Sequence, residues 1–83
     1  MEVIKEWERY EKSTKHSSLD VRYIVALTKD TVEWGHIDYY DRGGFSEVTH
    51  QEVLENQELR AWIVTKMGRD VLDELMQLIR QNK

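Results

Sequence analysis

The stretch from Val21 to Tyr40 constrains this chain more than any other part of it. "VRYIVALT" and "TVEWGHIDYY" are rich in β-branched and aromatic residues and stand on either side of the dipeptide Lys29–Asp30, the pattern of two strands joined by a two-residue turn. With Lys29 and Asp30 at the turn, Leu27 lies opposite Val32, Val25 opposite Trp34, Tyr23 opposite His36 and Val21 opposite Asp38. That face is apolar near the turn and polar at its far end. The other face carries Ile24, Ala26, Gly35, Ile37 and Tyr39, together with Arg22, Thr28 and Glu33. A slip of one residue would exchange the two faces, and Lys-Asp is a weak turn pair, so register is the least specified property of the hairpin.

The remaining segments are read from their periodicity. Over 2–12, "EVIKEWERYEK" spaces Val3, Trp7 and Tyr10 at i, i+4 and i+7, which predicts a short N-terminal helix. "STKHSS" is polar and aperiodic and reads as a loop, and "DRGGF" reads as a turn. "THQE", from Thr49 to Glu52, matches a capping box and predicts a helix that begins at His50. That helix is assigned to 50–57, followed by a third strand near 60–66, where Leu59, Ala61, Ile63, Thr65 and Met67 alternate with Arg60, Trp62, Val64 and Lys66. One unbroken, largely buried helix is the alternative. "RDVLDELMQLIRQN" places Val71, Leu72, Leu75, Leu78 and Ile79 on one broad stripe, with Asp70 and Asp73 near its start and Arg80 near its end, an amphipathic C-terminal helix. The expected fold is α+β: an antiparallel hairpin, extended to three strands on the favoured reading, packed by an N-terminal, a capped middle and a C-terminal helix.

At 83 residues the chain is read as a single compact domain spanning 1–83. For a chain of this size apolar burial and ordering entropy nearly cancel, so a homodimer or a complex with a protein partner is expected to supply part of the stability. There is no cysteine, which removes a disulfide scaffold and a thiol nucleophile and suits a reducing cytoplasm. The opening "MEVIKEWERYEK" lacks the basic and apolar regions of a signal peptide, and apolar runs such as Ile24–Leu27 fall far short of the ~20 residues of a membrane span. A cytoplasmic protein without membrane association is therefore expected.

Sixteen acids against twelve bases give a net charge of −4, dispersed along the chain. A nucleic-acid binder needs a basic patch for phosphate contacts, and here the bases are nearly all flanked by acids. A double-stranded-RNA-binding domain has a broadly similar element order but needs lysines at the start of its last helix, where this chain reads "GRDVLDEL". A carboxylate mimic of DNA would need a larger acidic excess.

The residues that could carry chemistry are few. His36 and Asp38 share a strand face and could form an acid/base pair or two metal ligands; His16 and His50, in or near loops, could converge on them, but nothing in their spacing requires it. Gly43 and Gly44 lack the strand and helix context of a phosphate loop and read as a turn, with Arg42 beside them. Tyr39 and Tyr40 point to opposite faces of a strand, and three tryptophans with four tyrosines exceed what so small a core readily encloses. Aromatic side chains are enriched at the energetic centres of protein interfaces. The expectation is a protein-binding or regulatory module, inhibitor- or adaptor-like, with no catalytic residue, metal or cofactor. Its expected contact residues are Trp34, His36, Asp38, Tyr39, Tyr40, Arg42 and Trp62. The alternatives are a nucleic-acid-associated protein or DNA mimic, and a small metal-binding protein or enzyme that uses His36 and Asp38.

Overall fold

The computed structural model describes residues 2–12, 20–38 and 42–81. Among these, β1 (Val3–Glu11), β2 (Val21–Thr28), β3 (Thr31–Asp38) and β4 (Gly43–Thr49) precede α1 (His50–Glu55), α2 (Gln57–Lys66) and α3 (Arg69–Gln81). The strands form one antiparallel sheet in the order β1-β2-β3-β4, each paired with its neighbour in sequence. The fold is α+β, with strands first and helices after.

The central hairpin has the register set by a Lys29–Asp30 turn: Leu27 pairs with Val32, Val25 with Trp34, Tyr23 with His36 and Val21 with Asp38. The turn pair is weak, but Thr28 compensates for it. Its buried hydroxyl accepts from the Thr31 amide at 3.0 Å and lies 2.7 Å from the Thr31 hydroxyl, which closes the turn from inside. A ring nitrogen of His50 lies 2.9 Å from the Thr28 carbonyl oxygen and ties the first helix to the same corner.

Residues 3–11 form an edge strand, not the N-terminal helix expected over 2–12. The spacing of Val3, Trp7 and Tyr10 is compatible with a helix, but partners distant in sequence decide the outcome. Lys5 donates to Glu74 Oε2 at 2.6 Å, the Trp7 indole donates to Glu74 Oε1 at 2.8 Å, and Arg9 reaches Asp70 Oδ2 at 3.4 Å. These side chains alternate on one face of β1 and fasten it to α3, a pattern that only a period of two can produce. The pairing of Val3 with Thr28 and of Lys5 with Leu27 leaves Ile4 as a bulged extra residue, which turns it toward Leu27 and Leu78.

Two further differences concern residues 43–67. The "GGFSEVT" segment is a fourth strand, although its glycines and serine gave it little strand character. Residues 57–66 are helical, where a β-branched and aromatic run predicted a strand near 60–66. Asn56 decides both this and the break that excludes one unbroken helix. Its amide donates to the Glu52 carbonyl at 2.7 Å and closes α1, while its side chain accepts from the Leu59 amide at 2.9 Å and opens α2. Arg60 donates to the Val53 carbonyl at 2.8 Å and seals the end of α1. The Thr49 cap and the C-terminal helix are as expected: Thr49 Oγ1 accepts from the Glu52 amide at 3.1 Å, and Val71, Leu72, Leu75 and Ile79 are buried. Between α2 and α3, Gly68 has φ +105°, and its amide donates to the Ile63 carbonyl at 3.0 Å.

The core lies between one sheet face and the three helices. Val25, Leu27 and Val32 from the sheet meet Val53, Leu59, Ile63, Met67, Leu75 and Ile79 from the helices, all essentially inaccessible to solvent. None of the side chains on the opposite sheet face belongs to this cluster. Among the described residues no helix is long and apolar enough to cross a membrane.

Candidate functional site

Strand alternation and register assign the side chains of the uncovered face to rows that run across the sheet. Glu6, Ala26, Glu33 and Glu47 form one row. The next consists of Glu8, Ile24, Gly35 and Phe45, and the row beyond it of Tyr10, Arg22, Ile37 and Gly43. Each row draws one residue from each strand. The surface is therefore assembled from four separate segments of sequence.

The centre of this face is an apolar depression of about 230 Å³ lined by Val3, Glu6, Ile24, Ala26, Glu33 and Phe45. Its floor is Ala26, only 5% exposed, while Val3 and Phe45 remain 47% and 50% exposed and form raised walls. Phe45 stands there because Gly35 is its cross-strand partner: a Cβ at residue 35 would meet the Phe45 ring at 2.8 Å and would collide with the Gly44 carbonyl. The ring thus covers a backbone that has no side chain of its own, an arrangement known to strengthen strand pairing at glycine.

The rim is charged and predominantly of one sign. Glu6, Glu8, Glu33 and Glu47 face a single cation in these rows, Arg22. Arg22 is already engaged: its Nε donates to Glu8 Oε2 at 2.8 Å, and its Nη2 lies 3.9 Å from Glu6 Oε1. The Glu8 hydrogen bond is the main reason that the Arg22 guanidinium is pushed further up from its ordinary value, with smaller contributions from the charges of Glu8, Tyr10 and Glu6. Glu33 and Glu47 are direct cross-strand partners, and neither makes an ion pair among the described residues. Like charges placed directly opposite each other oppose strand pairing.

The residues singled out from the sequence lie elsewhere and divide into two groups. Trp34, His36 and Trp62 are on the helix-bearing side, where Trp34 and Trp62 meet edge to face at 5.0 Å between ring centres and Tyr23 lies 6.0 Å from Trp62 and 6.4 Å from His36. Lys66 sits 5.1 Å above the Tyr23 ring. These rings seal the margin between α2 and the sheet. Asp38 and Arg42 form the second group: Arg42 Nε donates to Asp38 Oδ2 at 3.1 Å and its amide to Asp38 Oδ1 at 2.8 Å, bridging the approach to β4. Tyr39 and Tyr40 lie outside the described residues. No group of three or more metal-ligating side chains occurs among the described residues.

Sequence reasoning missed Glu6, Phe45 and Glu47, because the strands that carry them were not recognised. Ile24, Ala26 and Glu33 had been placed together on one hairpin face. The signal for the rest was the capping box, which fixes Thr49 as the end of whatever precedes it and leaves "GGFSEV" as an extended lead-in. Comparison with protein families, with curated proteins and with solved structures yields no significant match in any of the three.

Proposed function

We propose that this chain is a non-catalytic protein-binding module that holds a partner on the uncovered face of its sheet. The observation that supports this most is the depression formed by Val3, Ile24, Ala26 and Phe45, apolar surface that no helix among the described residues covers. An exposed apolar centre surrounded by polar residues is the usual anatomy of a contact surface between proteins. With α1, α2 and α3 on the other side, a partner can reach this face without any rearrangement of the core. The absence of cysteine suits a reducing compartment such as the cytoplasm.

The test is site-specific photo-cross-linking in the native host, with a photoreactive phenylalanine analogue at Phe45 and, as a control, at Gln77, an exposed position on α3. The expected outcome is a discrete cross-linked protein, identifiable by mass spectrometry, from position 45 and not from position 77. Equal cross-linking from the two positions, or none from position 45, contradicts the proposal.

A further inference from the structure

We infer that the occupant of the uncovered face is a lysine- or arginine-bearing amphipathic segment of another protein, an inference that rests on the docking role proposed above. The charges around the depression determine its chemistry. One row places Glu6, Glu33 and Glu47 across three strands, and the only cation in the neighbouring rows, Arg22, is held by Glu8 and Glu6. A partner that brings an apolar side chain to Ile24, Ala26 and Phe45 must place its flanking residues beside Glu33 and Glu47. Acidic flanks would be repelled there and neutral ones would leave the carboxylates uncompensated, whereas basic flanks meet complementary charge.

The area and the charge both disfavour a second copy of this chain. Four strands ~4.8 Å apart and seven to nine residues long present a face of roughly 19 by 26 Å, or ~500 Å² in projection. That is a small footprint beside the ~800 Å² of accessible surface per partner buried in a standard interface between folded proteins. A face-to-face dimer would also set two glutamate-rich surfaces ~10 Å apart, the spacing of packed sheets. A single helix or extended segment, ~10 Å across, matches the width available.

The inference is tested with three synthetic peptides of roughly twelve residues that share one leucine-containing apolar stripe and differ only at the flanking positions, which carry lysine and arginine, glutamine, or glutamate. Binding to the ¹⁵N-labelled protein is followed by NMR. The expected result is that the basic peptide shifts the amides of Ile24, Ala26, Glu33 and Phe45, binds at least about tenfold more tightly than the glutamine peptide, and weakens on the order of tenfold between about 50 and 500 mM salt. The doubly substituted protein Glu33→Gln/Glu47→Gln should lose most of the preference for the basic peptide while retaining the wild-type spectrum elsewhere. Equal binding of the basic and glutamine peptides, or binding insensitive to salt, overturns the basic-partner inference. Failure of all three peptides overturns it as well, and cross-linking from position 45 then shows whether the docking role survives alone. Sedimentation of the free protein covers the remaining occupant: a dimer dissociated by Phe45→Ser would assign the face to a second copy.

Discussion

The opposed carboxylates of Glu33 and Glu47 make a prediction about stability that is independent of any partner. Directly paired residues on adjacent antiparallel strands have Cβ atoms ~5 Å apart, so the two charges lie on the order of 6 Å from each other. At that distance Coulomb repulsion in water is about 0.7 kcal/mol. Glu47→Lys removes the repulsion and replaces it with attraction of similar size; allowing for side-chain ordering and solvent screening, the net gain is about 1 kcal/mol. For a chain of 83 residues that corresponds to a rise in Tm of roughly 4–8 °C. Urea and thermal unfolding at low salt measure it, and the gain should shrink as salt is raised. The control is a double-mutant cycle with Glu33→Gln, in which the benefit of Glu47→Lys should fall by about half or more. A gain that persists unchanged in the Glu33→Gln background, or no gain at all, would show that the two carboxylates do not repel across the strands and would remove the basis for reading the row as a charged rim. The same substitution should abolish the preference for a basic peptide, so that one change makes the fold more stable and the surface less useful.

Gly68→Ala should destabilise by about 1–2 kcal/mol in urea unfolding, because its φ of +105° strains any residue with a Cβ and that Cβ would lie 2.6 Å from Asp70 Oδ1. Thr28→Val should cost about 1–3 kcal/mol by the same assay, since it removes the buried hydroxyl that accepts from the Thr31 amide and closes the turn, and removal of Lys29–Asp30 propensity alone should matter less. The Glu74 carboxyl is held below its ordinary value, first by the Lys5 hydrogen bond and then by that of Trp7. A depressed folded pKa contributes stability above the unfolded carboxylate value and loses it as pH falls through the folded one, so the difference in stability between wild type and Glu74→Gln should be constant near neutrality and close on acidification. Duplex DNA and RNA should show no salt-dependent retardation in gel-shift titrations, because the exposed face carries carboxylates where phosphate contacts would need cations.

The sequence determined some elements locally and left others to contacts that local patterns do not contain. The β2–β3 hairpin was legible as two strands from alternation within two adjacent runs, whereas its register depended on taking the weak Lys29–Asp30 pair as the turn, which the Thr28 hydroxyl closes in the folded chain. Thr49 and α3 were legible for a similar reason: a cap and a continuous apolar stripe are complete within a few turns of helix. β1 was not, since its strand character depends on Lys5, Trp7 and Arg9 reaching Glu74 and Asp70, partners 61–69 positions away. For α2, strand propensity pointed the wrong way. The β-branched run at 63–65 favours a strand, but Asn56 caps the segment and Leu59, Ile63 and Met67 form a helical stripe buried in the core, and tertiary packing outweighs propensities of a few tenths of a kcal/mol per residue.

The candidate site inherits this division. Ile24, Ala26 and Glu33 were recognisable as one face of the hairpin, but a face becomes a surface only when its neighbours are known. Glu6 enters it from an edge strand that local spacing assigns to a helix, and Phe45 and Glu47 from a strand whose glycines conceal it. The aromatic residues that stand out in the sequence, Trp34 and Trp62, are drawn to the helix-bearing side because two indoles and Tyr23 fill the margin of α2 better than smaller side chains would. What remains outside is less conspicuous: one phenylalanine placed over a glycine, an alanine floor, and three glutamates that come together only through register. Stability alone does not account for that row, since a lysine at residue 47 would pair with Glu33 where a glutamate repels it. A repulsive pair at the edge of an open apolar depression is what the proposed surface for a basic partner would contain, and the stability gain predicted for Glu47→Lys measures how strongly the folded chain alone disfavours it.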